Sequence, residues 1–164
     1  MSLIVGIDPG SRITGYGVVE RRGSLISYVD SGIIRCGPRD DRPERLRTIK
    51  AALDEVLERH HPDSLAVEEI FVSKNPRSTL TLGEVRGVVI LAAAEAGIPV
   101  FEYSPREVKS SVVGKGAAHK GQVAAMIGRL LEFERKPATE DETDALAVAF
   151  CHCLRESGMM RESR

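Results

Sequence analysis

Tryptophan is absent and aromatic residues make up only 4% of the chain, so the core it builds is aliphatic. Cysteine is scarce too. Cys36, Cys151 and Cys153 form an odd set without paired spacing, which argues against a disulfide framework and suits a reducing compartment. Cys151-His152-Cys153 carries metal-ligating residue types, yet it follows the apolar run Leu146-Ala147-Val148-Ala149-Phe150, and residues i and i+2 of a helix point about 200° apart. Small core residues are the better reading of it than zinc ligands. Long hydrophobic runs are missing as well: the longest, Val88 to Ala94, falls far short of the roughly 20 residues that span a bilayer. Gly6 and Asp8 break the N-terminal run before it resembles a signal segment, so a cytoplasmic protein without membrane association is expected. Nor is either charge in excess. With 23 basic and 24 acidic residues the net charge is -1, which does not advertise nucleic-acid binding, although a concentrated acidic site masks basic patches in such a total.

What is present fits one globular domain of ordinary size, 164 residues with 42% hydrophobic content. The expected domain covers residues 1–158, with 159–164 as a short disordered tail. Leu3-Ile4-Val5-Gly6-Ile7, the turn Asp8-Pro9-Gly10-Ser11 and Ile13 to Val19 read as strand, turn and returning strand. A third strand over Ser24 to Arg35 completes a meander. Leu46, Ile49, Leu53, Val56 and Leu57 then trace one helical face, and Ser64-Leu65-Ala66-Val67 enters a strand. Strand, helix, strand implies a parallel crossover. A helix from Thr79 to Ala96 follows, apolar almost all round, with Gly83 and Gly87 leaving a shallow groove that admits another helix, such as one from a partner subunit. Beyond it come a short strand at Val100 to Tyr103, a helix capped by Ser104-Pro105-Arg106-Glu107, a helical face through Val123, Met126, Ile127, Leu130 and Leu131, and a last helix from Ala145 to Leu154.

The chemistry resides in carboxylates at unexpected places. Asp8 ends the first buried strand, where an ionised acid needs a partner unless it merely caps the turn. Glu68 and Glu69 end a second strand and point to opposite faces, so at most one joins Asp8; position alone does not choose. Asp141 and Asp144 lie three apart and share the helix face that continues through Val148 and Cys151, toward the core. Acids at a helix start also have the helix dipole to explain them, but two on an inward face call for a cation. Hard oxygen ligands without a zinc-type His or Cys set point to Mg²⁺ or Mn²⁺, and two such ions suit in-line displacement at phosphorus. Between Glu69 and the next helix, the loop Phe71 to Ser78 offers Ser73, Lys74, Asn75 and Arg77 as phosphate donors beside one aromatic that can stack on a base. Lys109, Lys115 and Lys120 can line a phosphate-binding edge around the Gly-rich turn Gly114 to Gly121, which is no Walker loop.

Gly6-Ile7-Asp8-Pro9-Gly10-Ser11-Arg12-Ile13-Thr14-Gly15-Tyr16-Gly17-Val18, Ala66-Val67-Glu68-Glu69-Ile70-Phe71, Ser73-Lys74-Asn75, Arg86-Gly87-Val88, Pro99 to Tyr103, Val112-Val113-Gly114 and Asp144-Ala145-Leu146-Ala147 together resemble the RuvC family of Holliday-junction endonucleases, in order along most of the chain. The resemblance implies an α/β ribonuclease H-like fold, a five-stranded mixed sheet with three antiparallel and two parallel strands flanked by helices. It implies a homodimer that nicks two like-polarity strands of a four-way DNA junction symmetrically, with a branch-migration complex to load it. It places the catalytic and metal-binding acids on Asp8, Glu68, Asp141 and Asp144, a base-engaging aromatic on Phe71, basic residues beside the site on Lys109 and Lys120, and the dimer contact on the helix of Gly83 and Gly87. Glu140 and Glu142 are assigned no metal. Rival readings are a ribonuclease H-like nuclease acting on structured RNA, an ATP-binding protein of the actin and sugar-kinase type, and a non-catalytic junction binder.

Overall fold

In the computed structural model, described for residues 1–70, 75–114, 119–131, 137 and 139–162, a five-stranded sheet runs in the order β3-β2-β1-β4-β5. Strands β1 (Ser2–Asp8), β2 (Ile13–Arg22) and β3 (Leu25–Arg35) form the antiparallel meander, while β4 (Ser64–Glu68) and β5 (Val100–Tyr103) add parallel to β1 and to each other. This is the ribonuclease H-like arrangement, and it makes β1 the central strand. Helix α1 (Arg42–His60) starts where Asp41 caps the amide of Glu44 and ends at His61, whose left-handed backbone (φ 45°) closes the last turn. Helices α2 (Pro76–Glu95), α3 (Pro105–Val113), α4 (Lys120–Leu130) and α5 (Glu140–Glu162) complete the fold.

Period-two alternation divides the core cleanly. Val5, Ile7, Leu65 and Val67 face α1 and α2, packing on Ile49, Leu53, Val85 and Val89. Ile4, Ala66 and Val19 face the other way, onto α3, α4 and α5 through Val108, Val112, Val123, Ile127 and Leu146. Gly6 and Asp8 share the side of Ile4, and Glu68 shares the side of Ala66, so both acids look toward α5.

Helix α5 reaches the sheet more closely than any side chain larger than hydrogen permits. A methyl group added at Gly6 would sit 2.2 Å from the carbonyl oxygen of Ala145, at Gly15 it would sit 2.1 Å from that of Asp141, and at Gly17 it would meet Leu146. Gly6 and Gly17 are cross-strand partners, as are Asp8 and Gly15. The glycines thus form one patch on β1 and β2.

Several elements differ in extent from the sequence reading. Helix α5 begins at Glu140, not Ala145, because Thr139 bonds the amide of Glu142 and so opens the helix a turn earlier. It continues past Leu154 to Glu162, beyond the end of the apolar pattern, held by Arg21 to Glu156 (2.7 Å) and Arg155 to Glu107 (3.2 Å). Helix α2 begins at Pro76 rather than Thr79, so part of the expected Phe71 to Ser78 loop is helical: Asn75 is the N-cap and accepts from the amide of Arg77 at 3.1 Å.

The Cys151-His152-Cys153 run is core. All three are buried, and burial pushes the Cys153 thiol up to about 12 and raises Cys151 as well, away from the thiolate a metal requires. Burial likewise pushes Tyr103 up to about 12, so its hydroxyl stays protonated, and it shares a hydrogen bond of 2.6 Å with Nδ1 of His152. Phe101 stacks on the same ring, centroids 4.3 Å apart. Burial lowers the pKa of His152 below 6.5.

Two outcomes follow for stability. Gly6→Ala sets a methyl against helix backbone that cannot rotate away, so it should cost about 1–3 kcal/mol or more in urea unfolding; a variant as stable as the parent would show that α5 can retreat at no cost. The neutral His152 binds a proton only on unfolding, so its contribution is whole above its unfolded pKa near 6.5 and is lost as pH falls toward the lower folded value. Below about pH 6.5 the parent should therefore lose stability more steeply than His152→Leu, by up to about 1.4 kcal/mol per pH unit. Parallel pH profiles would contradict this.

Candidate active site

Because β1 and β4 run parallel with Ile7 beside Val67, the residues one step further on, Asp8 and Glu68, leave neighbouring strand ends on the same face. Glu69 lies past the strand, exposed, its backbone amide bonded to the carbonyl of Tyr103 at 2.8 Å. Of the two glutamates, Glu68 is the one on the side of Asp8. Asp8, Glu68 and Asp144 line one cleft of about 270 Å³, whose walls are Pro105, Val108 and Lys109 of α3, Val123 of α4, and Ala147 and Val148 of α5. Each of the three acids is half-buried. Asp141, also half-buried, does not line the cleft; it lies a turn nearer the start of α5, packed over Gly15, the cross-strand partner of Asp8.

The donor set is the one a hard divalent cation requires, carboxylate oxygens from three separate elements with apolar side chains between them. Among the described residues no three such groups close around a common point, so the acids converge on the cleft without forming a finished cage. Lys109, half-buried in the wall, is the cation that reaches this cleft from α3.

The remaining expected contacts divide. Arg77 is exposed in the first turn of α2, and Asn75 spends its side-chain oxygen on the cap. Gly83 and Gly87 are exposed on α2 with nothing within 4 Å of a methyl added at either. Phe71, Lys74, Lys115 and the side chain of Lys120 lie outside the described residues. A wider groove of about 610 Å³ lies between α1 and α2, at the opposite end of the parallel strands, and contains none of the site acids; its Lys50 is tied to Asp54 and Glu95, both at 2.7 Å. Sequence reasoning passed over the glycine patch and the burial of Glu142. The glycines were visible in the text as Gly6, Gly15 and Gly17, but their pairing across two strands was not.

The family model described as crossover junction endodeoxyribonuclease RuvC matches residues 4–152. A crossover junction endodeoxyribonuclease RuvC from Histophilus somni is 51% identical over 152 residues, which cover 93% of this chain and 79% of that one. The structure of Thermus thermophilus RuvC in complex with a Holliday junction substrate superposes with a TM-score of 0.91 at 34% identity, covering 97% of both chains. A yeast mitochondrial Holliday junction resolvase shares the fold, with a TM-score of 0.67 at 15% identity over 97% of this chain and 80% of its own.

Proposed function

The chain belongs to the RuvC family of crossover junction endodeoxyribonucleases, and from that premise we propose that it resolves four-way DNA junctions by metal-dependent nicking of two strands of like polarity. The observation that carries the proposal is the meeting of Asp8, Glu68 and Asp144 in one cleft beside Lys109. Asp8, Glu68 and Asp144 would hold the metal there, with Asp141 as the fourth acid from the adjoining turn. Mg²⁺, or Mn²⁺ in its place, with two ions per site, would supply Lewis-acid polarisation of the scissile phosphate when bound.

The chain's own residues do the rest. Lys109 pairs with a phosphate oxygen and orients the strand, against an apolar wall of Val108, Val123 and Val148. Arg77, exposed in the first turn of α2, grips a neighbouring phosphate. By resemblance alone, Phe71 engages bases at the crossover, and Lys74, Lys115 and Lys120 extend the grip on the backbone.

Symmetric nicking requires two sites related by a two-fold axis. Leu80, Gly83, Gly87 and Leu91 make an outward stripe on α2, with Leu80 68% and Leu91 51% exposed, and the two glycines between them give a second α2 room to approach. We infer a homodimer through this stripe. A branch-migration complex that loads the dimer onto junctions, in the cytoplasm, is the partner the function calls for; among the described residues no helix is long and apolar enough to cross a membrane.

The test is a labelled four-way junction set against linear duplex and an RNA hairpin with Mg²⁺. The junction should be cleaved preferentially. Asp8→Asn and Glu68→Gln should each lose more than about 100-fold in rate, beyond what loss of an outer hydrogen-bond partner costs, with junction binding kept. Glu69→Gln should cleave normally. Cleavage by Asp8→Asn at the parental rate, or no preference for junctions, would refute the proposal. Gly87→Glu places a charge in the stripe and should give a monomer in sedimentation that no longer makes paired nicks; an intact dimer would move the interface elsewhere.

A further inference from the structure

Glu142 is the one acid of the α5 start that the fold takes out of solvent almost completely, at 3% exposure. Its two carboxylate oxygens do different things. Oε1 lies 3.5 Å from the hydroxyl of Thr139, whose oxygen in turn accepts from the amide of Glu142 at 3.2 Å, which closes the first turn of the helix. Oε2 accepts from the hydroxyl of Ser31 at 2.9 Å. Ser31 is itself buried (3%) on β3, opposite Gly17 and therefore on the α5 face, and the Tyr28 hydroxyl is 3.2 Å from its Oγ.

Capping does not require this burial. A glutamate three residues after a cap closes the turn equally well in water, and taking a carboxylate into the core costs free energy that an apolar pair would not. What the buried contact adds is direction. Backbone resting on Gly6, Gly15 and Gly17 fixes how near α5 comes to the sheet, and side chains such as Leu146 and Phe150 seat its middle turns in the core, while the first turn, which carries the acids, needs its own hold against roll about the helix axis. The Ser31 contact resists that roll. At about 100° per residue, Asp141 lies about 100° from Glu142 around the axis and Asp144 about 160° from it on the same side, so holding Glu142 against β3 sets where both point.

We propose that Glu142 is a positioning residue which, through Ser31, fixes the rotation of α5 and thereby aims Asp144 and Asp141 toward the metal-binding cleft. It touches neither metal nor DNA. The inference rests on the nuclease reading above and names a determinant of metal affinity within that site.

The test compares Glu142→Ala, Ser31→Ala, the double variant and Ser31→Thr, which keeps the hydroxyl. Mg²⁺ is titrated into each DNA-free protein by calorimetry, and junction binding and single-turnover cleavage are measured alongside. Both single alanine variants should weaken Mg²⁺ binding and slow cleavage by about 10- to 100-fold, with junction affinity unchanged. The double variant should be no worse than Glu142→Ala, since both changes break one contact, and Ser31→Thr should stay near the parent. Ser31→Ala leaves the cap intact and carries the test if Glu142→Ala fails to fold. Variants that lose thermal stability but bind Mg²⁺ like the parent at low temperature, or whose effects simply add, would overturn the proposal. A parent that binds Mg²⁺ but cleaves no junction would instead refute the nuclease reading, while the Mg²⁺ titrations would still report on Glu142.

Discussion

Backbone contact between α5 and the central strands is the constraint on which the site depends. Gly6, Gly15 and Gly17 let the helix settle where a methyl group would collide with the carbonyl oxygens of Ala145 and Asp141. That nearness brings the first turns of α5 level with the end of β1, so Asp144 reaches the cleft that Asp8 and Glu68 enter from the sheet. A helix standing one side-chain layer further out would hold the same acids in solvent, where each would be an ordinary surface charge. Gly6→Ala therefore tests more than packing, because the backbone it pushes on carries the site.

Much of this was legible in the sequence. The opening hairpin, the crossover into β4 and the capping box of Ser104 and Glu107 each follow from local signals, and the structure shows all three. The two acids of α5 could be seen to share a face. The choice between Glu68 and Glu69 could not be made from alternation, because it depends on which strand β4 joins; only the register of Val67 with Ile7 turns Glu68 to the side of Asp8. The resemblance to a known family chose the same residue without that physical reason.

The start of α5 was misread for a related cause. The expected start was Ala145, yet Thr139-Glu140-Asp141-Glu142 has the spacing of a capping box, and the helix begins at Glu140. The feature that separates Glu142 from Glu140 is Ser31, 111 residues earlier in the chain, and no local pattern contains it. Contacts of that span are set by the sheet order and by the glycine patch. They become readable only once both are known.

Charge is divided along the parallel strands in a way that the net value of -1 conceals. At the far end, Asp54, Glu58, Asp63 and Glu95 surround a groove whose Lys50 is already engaged by two of them. At the site end the acids are as concentrated, but Lys109 stands in the same cleft, and α2, which leads from the end of β4 back to the start of β5, begins with the exposed Arg77. A polyanion is repelled from the first end, and at the second it meets fixed cations beside carboxylates that a divalent ion would neutralise. A divalent ion that offsets the carboxylates removes the repulsion a polyanion meets there, so binding of metal and of DNA should each strengthen the other by linkage. The acids and Lys109 therefore share one cleft whose negative charge a bound divalent ion would offset, at the start of a helix seated on the glycine patch.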